Sequence, residues 1–158
     1  MERGKEVRRR LWPAFDAALA RVGGYAVSDV SQDQYVGTAG ADLREVEDNL
    51  RSLGFSFEVI SALKHRACPN RRDVEAGSWV LRDSRLSSHQ LHVHLFSERN
   101  EDTADVYAHH EKNWVRHPVK HYRVEYCSCE KGVEMAREVL SEAHVELFHR
   151  GRDERCMV

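Results

Sequence analysis

The sequence predicts an α+β domain: a four-stranded antiparallel meander sheet with two N-terminal helices and one C-terminal helix. Three observations carry that expectation. Apolar residues recur at helical spacing near both ends of the chain, β-branched and aromatic runs with two-residue alternation fill the middle, and the connectors between those runs are too short for parallel crossovers. The chain has 158 residues, 41% apolar and 32% charged, which suits a single domain over 1–158 that buries a core without disulfides. Cys68, Cys127, Cys129 and Cys156 therefore read as free thiols.

The first helix is expected over Lys5 to Val22, where Val7, Leu11, Phe15, Ala18, Leu19 and Val22 share one stripe and Pro13 kinks it or starts its second half. Gly23-Gly24 ends it. The polar stretch to Gly40 keeps no period and reads as a surface connection with one short extended piece near Tyr35-Val36. Asp42 followed by Glu45 opens a second helix in the manner of a capping box. Leu43, Val46, Leu50 and Leu53 form its stripe, and Gly54 is placed to stop it in a left-handed conformation.

Four extended runs follow, at about Phe55 to Arg66, Gly77 to Asp83, His89 to Ser97 and Ala104 to Lys112. Their connectors, Pro69 to Asp73, Ser84 to Ser88 and Glu98 to Asp102, carry turn residues and hairpin lengths. An irregular stretch runs through Pro118. The last helix is expected from about Glu130 to near Phe148, burying Val133, Ala136, Val139, Leu140, Ala143 and Leu147, and the charged tail from about His149 should fray.

Several function classes drop out on composition and motif. Lys plus Arg number 24 against 26 Asp plus Glu, so the net charge of -2 lacks the basic field of non-specific duplex binding. No run approaches the roughly 20 apolar residues of a membrane span, and the opening Met-Glu-Arg-Gly-Lys-Glu has no apolar signal core. A soluble, cytoplasmic protein with no membrane partner is the expectation. Neither a Gly-x-x-x-x-Gly-Lys nor a Gly-x-Gly-x-x-Gly cradle occurs, so no nucleotide cofactor is expected, and no Gly-x-Ser-x-Gly elbow marks a nucleophile.

Histidine is the anomaly. Seven of the ten histidines (His89, His92, His94, His109, His110, His117, His121) fall between positions 89 and 121. Strand parity sorts them, because successive side chains point to opposite faces. Leu91, Val93 and Leu95 share one face of their strand, while Gln90, His92, His94 and Phe96 share the other. In the next run Val106 and Ala108 oppose Asp105, Tyr107, His109 and Glu111. A hairpin that matches the apolar faces sets His94 opposite Tyr107, His92 opposite His109 and Gln90 opposite Glu111.

Such a patch suits one divalent transition metal, zinc, manganese or iron, because two histidines two apart on a strand aim the same way from rigid backbone. His92, His94 and His109 are the expected ligands. Glu111 is the expected general base, or an alternative third ligand, and Tyr107 lies beside them. With water in an open fourth position, metal-assisted hydrolysis of an anionic substrate would follow.

Two resemblances begin at these residues. His92-Val93-His94 with Glu98 resembles the His-x-His-x-x-x-Glu core of cupin metal motifs, and His109 with Asn113 the His-x-x-x-Asn of the second cupin motif. The flanking glycines and the Pro-x-Gly are absent, and four strands are fewer than a double-stranded barrel needs. His92-Val93-His94 also resembles the His-hydrophobic-His metal motif of HUH endonucleases. That resemblance implies a downstream tyrosine on a helix, and the last helix here has none.

Two other uses of the region are expected alternatives. Trp114, Arg116, His117, Lys120 and Arg123 interleave cations with an aromatic, which suits a metal-free module binding an anionic small molecule or single-stranded nucleic acid. The histidine and aromatic face could instead be the interface of a homodimer, or of a subunit or adaptor. Cys127-Ser128-Cys129 offers two thiols, with Ser128 as a helix cap.

Overall fold

The computed structural model of the chain describes residues 29–58, 65–66, 77–97 and 102–151, together with Leu11, Ala14, Ala17, Ala18, Arg21 and Val22. Its centre is a six-stranded antiparallel sheet. In chain order the strands are β1 (Asp29–Val30), β2 (Tyr35–Ala39), β3 (Ser56–Phe57), β4 (His65–Arg66), β5 (Gly77–Leu81), β6 (His89–Phe96), β7 (Ala104–Lys112) and β8 (Leu147–Phe148). Across the main sheet the order is β3-β5-β6-β7-β2-β8, while β1 and β4 form a separate parallel pair. Two helices have defined bounds among the described residues, α1 (Leu43–Ser52) and α2 (Cys129–Glu142).

This corrects the expected four strands and three helices. The meander β5-β6-β7 is as expected, but β2 continues the sheet beyond β7 and β8 continues it beyond β2. The stretch around Tyr35, expected on the surface, is thus an interior strand with all five residues buried. Both of its faces are covered, so Tyr35-Val36-Gly37-Thr38-Ala39 lacks the alternation that marks a half-solvated strand. The run expected from Phe55 to Arg66 divides between sheets, with β3 pairing β5 and β4 pairing β1. The helix expected over Lys5 to Val22 lies largely outside the described residues, of which Leu11, Ala14, Ala17 and Ala18 are helical. The expected frayed tail also lies outside them from residue 152 onward.

Both helices pack on one face of the sheet. Val46 and Leu50 of α1 and Ala136 and Leu140 of α2 meet Leu91, Val93, Leu95, Val106 and Ala108 in one apolar core. The Asp42 carboxylate caps α1 by accepting from the Glu45 N–H at 2.8 Å. Ser128 caps α2 through the Lys131 N–H. Gly132 lets α2 lie flat on the sheet, because a Cβ there would sit 2.2 Å from His109 Cα. That close approach fixes the height of the helix over β7, the strand that carries His109 and Glu111.

α2 ends at Glu142, six residues before the expected end. His144 takes φ 57°, the Val145 N–H donates to the Leu140 carbonyl and the His144 N–H to that of Ser141. This is a Schellman turn without glycine. It redirects the chain so that Leu147–Phe148 pairs with β2 as β8.

Candidate metal centre

On the sheet face away from α1 and α2, the hairpin β6-β7 has the register expected from the sequence. Gln90 pairs with Glu111, His92 with His109 and His94 with Tyr107. β5 joins from the other side with Ser78 opposite His94. This face is not solvated, since His92, His94, His109 and Glu111 are each 0–1% exposed. Gln34 approaches from the short 3-10 turn Gln32–Gln34, and Val30, Tyr35, Phe96 and Tyr107 form a small apolar cluster. Tyr107 packs its ring 5.3 Å from that of Tyr35 and 5.4 Å from that of Phe96.

Three buried histidines converge here. One ring nitrogen from each of His92, His94 and His109 lies within 4.8 Å of the others, so the three could hold a metal ion. The ring centroids are 4.1 Å apart for His92 and His94, 5.0 Å for His92 and His109, and 5.2 Å for His94 and His109. Zinc–imidazole bonds of 2.0–2.1 Å in a tetrahedron place ligand nitrogens about 3.4 Å apart. Coordination would therefore draw the rings inward by about 1 Å or less at the widest pair.

Glu111 is the hub beneath them. Its Oε1 lies 2.8 Å from His92 Nδ1 and accepts from Gln90 Nε2 at 2.7 Å. Its Oε2 lies 3.2 Å from His109 Nε2 and 3.5 Å from His121 Nδ1. The His109 contact is ion-pair close but off the line of a hydrogen bond. Burial alone would push the Glu111 carboxyl up. The His109 and His92 imidazoles beside it override that and hold the carboxyl well below the usual carboxylate range, with His92 Nδ1 at hydrogen-bond distance from Oε1.

The outer contacts fix orientations. Arg82 Nε donates to Gln90 Oε1 at 2.8 Å, which leaves the Gln90 amide nitrogen to face Glu111. Arg82 Nη2 and Trp114 Nε1 both donate to Glu58 Oε2 at 2.9 Å. Because an ionised carboxylate only accepts, His92 carries a proton on Nδ1, and the neutral ring then presents the Nε2 lone pair. Gln34 Oε1 lies 2.9 Å from His109 Nδ1. These contacts have the form of the carboxylate and amide partners that hold metal-binding imidazoles in one tautomer.

The residues expected to bind anions are not part of this cluster. Trp114 turns inward to Glu58, Arg116 Nη1 donates to the Leu86 carbonyl at 3.0 Å, and His117 Nε2 lies 3.4 Å from Ser88 Oγ. Lys120 is exposed and, like Lys112, holds its ammonium 5.7 Å above the Tyr126 ring, while Arg123 is exposed. Glu98 of the cupin-like spacing falls outside the described residues. Two residues at the centre escape a reading of the hairpin alone. Ser78 was legible through parity, since Trp79 faces the core and Ser78 must face the other way. Gln34 carries no local signal, because it arrives from 75 positions away.

No family model matches the chain, and neither a curated protein nor a solved structure matches it. No helix among the described residues is long and apolar enough to cross a membrane.

Proposed function

We propose that the protein binds a divalent transition metal through His92, His94 and His109, with Glu111 as the carboxylate that orients the imidazoles. The observation that carries this reading is the convergence of three buried imidazole nitrogens within 4.8 Å. Burying so many polar rings together is costly unless each is satisfied. A divalent ion satisfies all three at once and supplies positive charge next to the Glu111 anion. Imidazole donors favour zinc, iron or the neighbouring first-row metals over magnesium or calcium.

Glu111 fits an orienting role better than that of a general base, because its Oε1 is engaged by Gln90 and His92 and its Oε2 lies against His109 and His121. Metal-assisted hydrolysis asks more of the site than metal holding. It needs an open fourth position and a route for an anionic substrate to ligands that are almost fully buried. The geometry favours holding.

Elemental analysis of untagged protein purified without chelator tests this. Near one equivalent of transition metal is expected, with loss of uptake in His94→Ala and in His109→Ala while the circular dichroism of both stays native. Metal-free protein that takes up no zinc, manganese or iron(II) on incubation would overturn the reading.

A further inference from the structure

Ser78 lies on β5, directly opposite His94 in the pairing with β6, and is completely buried. Its Oγ is 2.6 Å from His92 Nε2. With the His92 ring neutral, as metal binding requires, and its proton on Nδ1 toward Glu111, Nε2 accepts and the Ser78 hydroxyl donates. A metal bound to His92 must take that same lone pair, at 2.0–2.1 Å. The serine oxygen therefore sits on the nitrogen the metal needs, on the same face and beside a second candidate ligand.

We infer that Ser78 Oγ is the fourth donor of the metal centre: on metal binding it releases His92 Nε2 and coordinates the ion. This rests on the metal-centre reading above. Two donors on a tetrahedral ion stand about 3.4 Å apart, so Oγ must retreat by about 0.8 Å from His92 Nε2. The centre is then closed by protein groups from three adjacent strands, β5, β6 and β7. A closed centre holds its metal and leaves no vacant position for a substrate water, which is the mark of structural zinc sites.

Cobalt(II) binding to the full-length chain tests the inference, with the metal itself as probe. Wild-type protein is expected to bind one equivalent with visible d–d absorption. Ser78→Cys should bind one equivalent and add a near-ultraviolet thiolate-to-cobalt charge-transfer band absent from the wild type at the same loading. Ser78→Ala should weaken cobalt affinity at least about tenfold, the scale on which even outer partners of a metal centre act. Equal or tighter binding by Ser78→Ala would show that the hydroxyl only competes with the metal, and the inference would fall. A cobalt-loaded Ser78→Cys without the new band would also overturn it. Wild-type protein that binds no cobalt sinks the metal reading itself and this inference with it, whereas the other two failures leave that reading intact. If Ser78→Cys does not fold, the Ser78→Ala affinity decides alone.

Discussion

The two faces of the central sheet are buried to the same degree by opposite chemistry. Toward the helices β6 presents Leu91, Val93 and Leu95. Away from them it presents His92 and His94, and all five side chains are at most 2% exposed. The helix side is ordinary packing, in which each side chain gains by leaving water and position matters through volume. The histidine side gains nothing from leaving water unless its groups find partners, so every ring there is tied to a named atom or another ring. The difference teaches that burial alone does not define a core. One face is specified by shape and the other by a network that a metal would complete.

Adjacent residues give the sharpest contrast, because Leu95 and His94 are both fully buried and differ only in which way they point. Leu95→Ala should cost about 2–5 kcal/mol in urea unfolding, from lost transfer energy and the cavity left behind. It should leave metal stoichiometry unchanged. His94→Leu keeps about the same volume, so in chelator it opens no large cavity and should cost less than Leu95→Ala. It should nevertheless abolish metal uptake. A Leu95→Ala variant that loses its metal while still folded, or a His94→Leu variant as unstable as Leu95→Ala in chelator, would erase the distinction between the faces.

The faces also meet through backbone, at Gly132. In an exposed helix interior, glycine to alanine usually gains up to about 1 kcal/mol. Here the added Cβ would lie 2.2 Å from His109 Cα and 2.5 Å from His110 N, and neither atom can swing aside. Gly132→Ala should therefore destabilise by about 1–3 kcal/mol. By pushing α2 off β7 it should also weaken zinc binding, although it touches no imidazole ring. Thermal melts with and without zinc would measure both effects, and a stabilised variant would show that the helix height is not set there.

The hairpin, its register and the grouping of His92, His94, His109 and Glu111 were legible because strand parity is strict and the apolar side of both strands is unambiguous. α1 was legible for a different reason: Asp42 and Gly54 mark both its ends, and Gly54 takes φ 89°. The contrast with α2 explains one error. Leu53-Gly54-Phe55 and Ala143-His144-Val145 make the same closing turn, with the Phe55 N–H on the Leu50 carbonyl as the Val145 N–H is on that of Leu140. Only the first has a glycine to announce it, so α2 reads on to Phe148 through Leu147. The other misses are non-local. β2 and Gln34 find their places only when β7 exists to receive them, and nothing within their own few residues encodes that partner. The same limit applied to exposure: parity placed the histidines on one face but could not say that this face is covered.

A second pair of histidines, on the helix side, provides the mildest test of the comparison. His89 and His110 stack with centroids 4.9 Å apart and planes 19° from parallel, near the start of α2. Burial pushes the His110 pKa down to about 4, and Lys131, His89 and Lys112 add to it against the opposing pull of Glu111. Above about pH 6.5, the ordinary histidine value, both folded and unfolded chains hold this ring neutral. As the pH falls from there toward 4, the unfolded chain takes up a proton that the folded chain refuses, so His110 makes the fold progressively less stable across that window. Below it both states are charged and the change stops. His110 is only partly buried, so the effect should be the smallest of the three. His110→Gln, which stays neutral, should flatten the decline of the urea midpoint between pH 6.5 and 4, measured in chelator so that proton release from the metal ligands does not contribute. An unchanged decline would mean that other groups set it, such as the stacked His89, whose pKa burial also lowers, or the carboxylates that titrate at about pH 4, and His110 itself would then carry no titrating weakness.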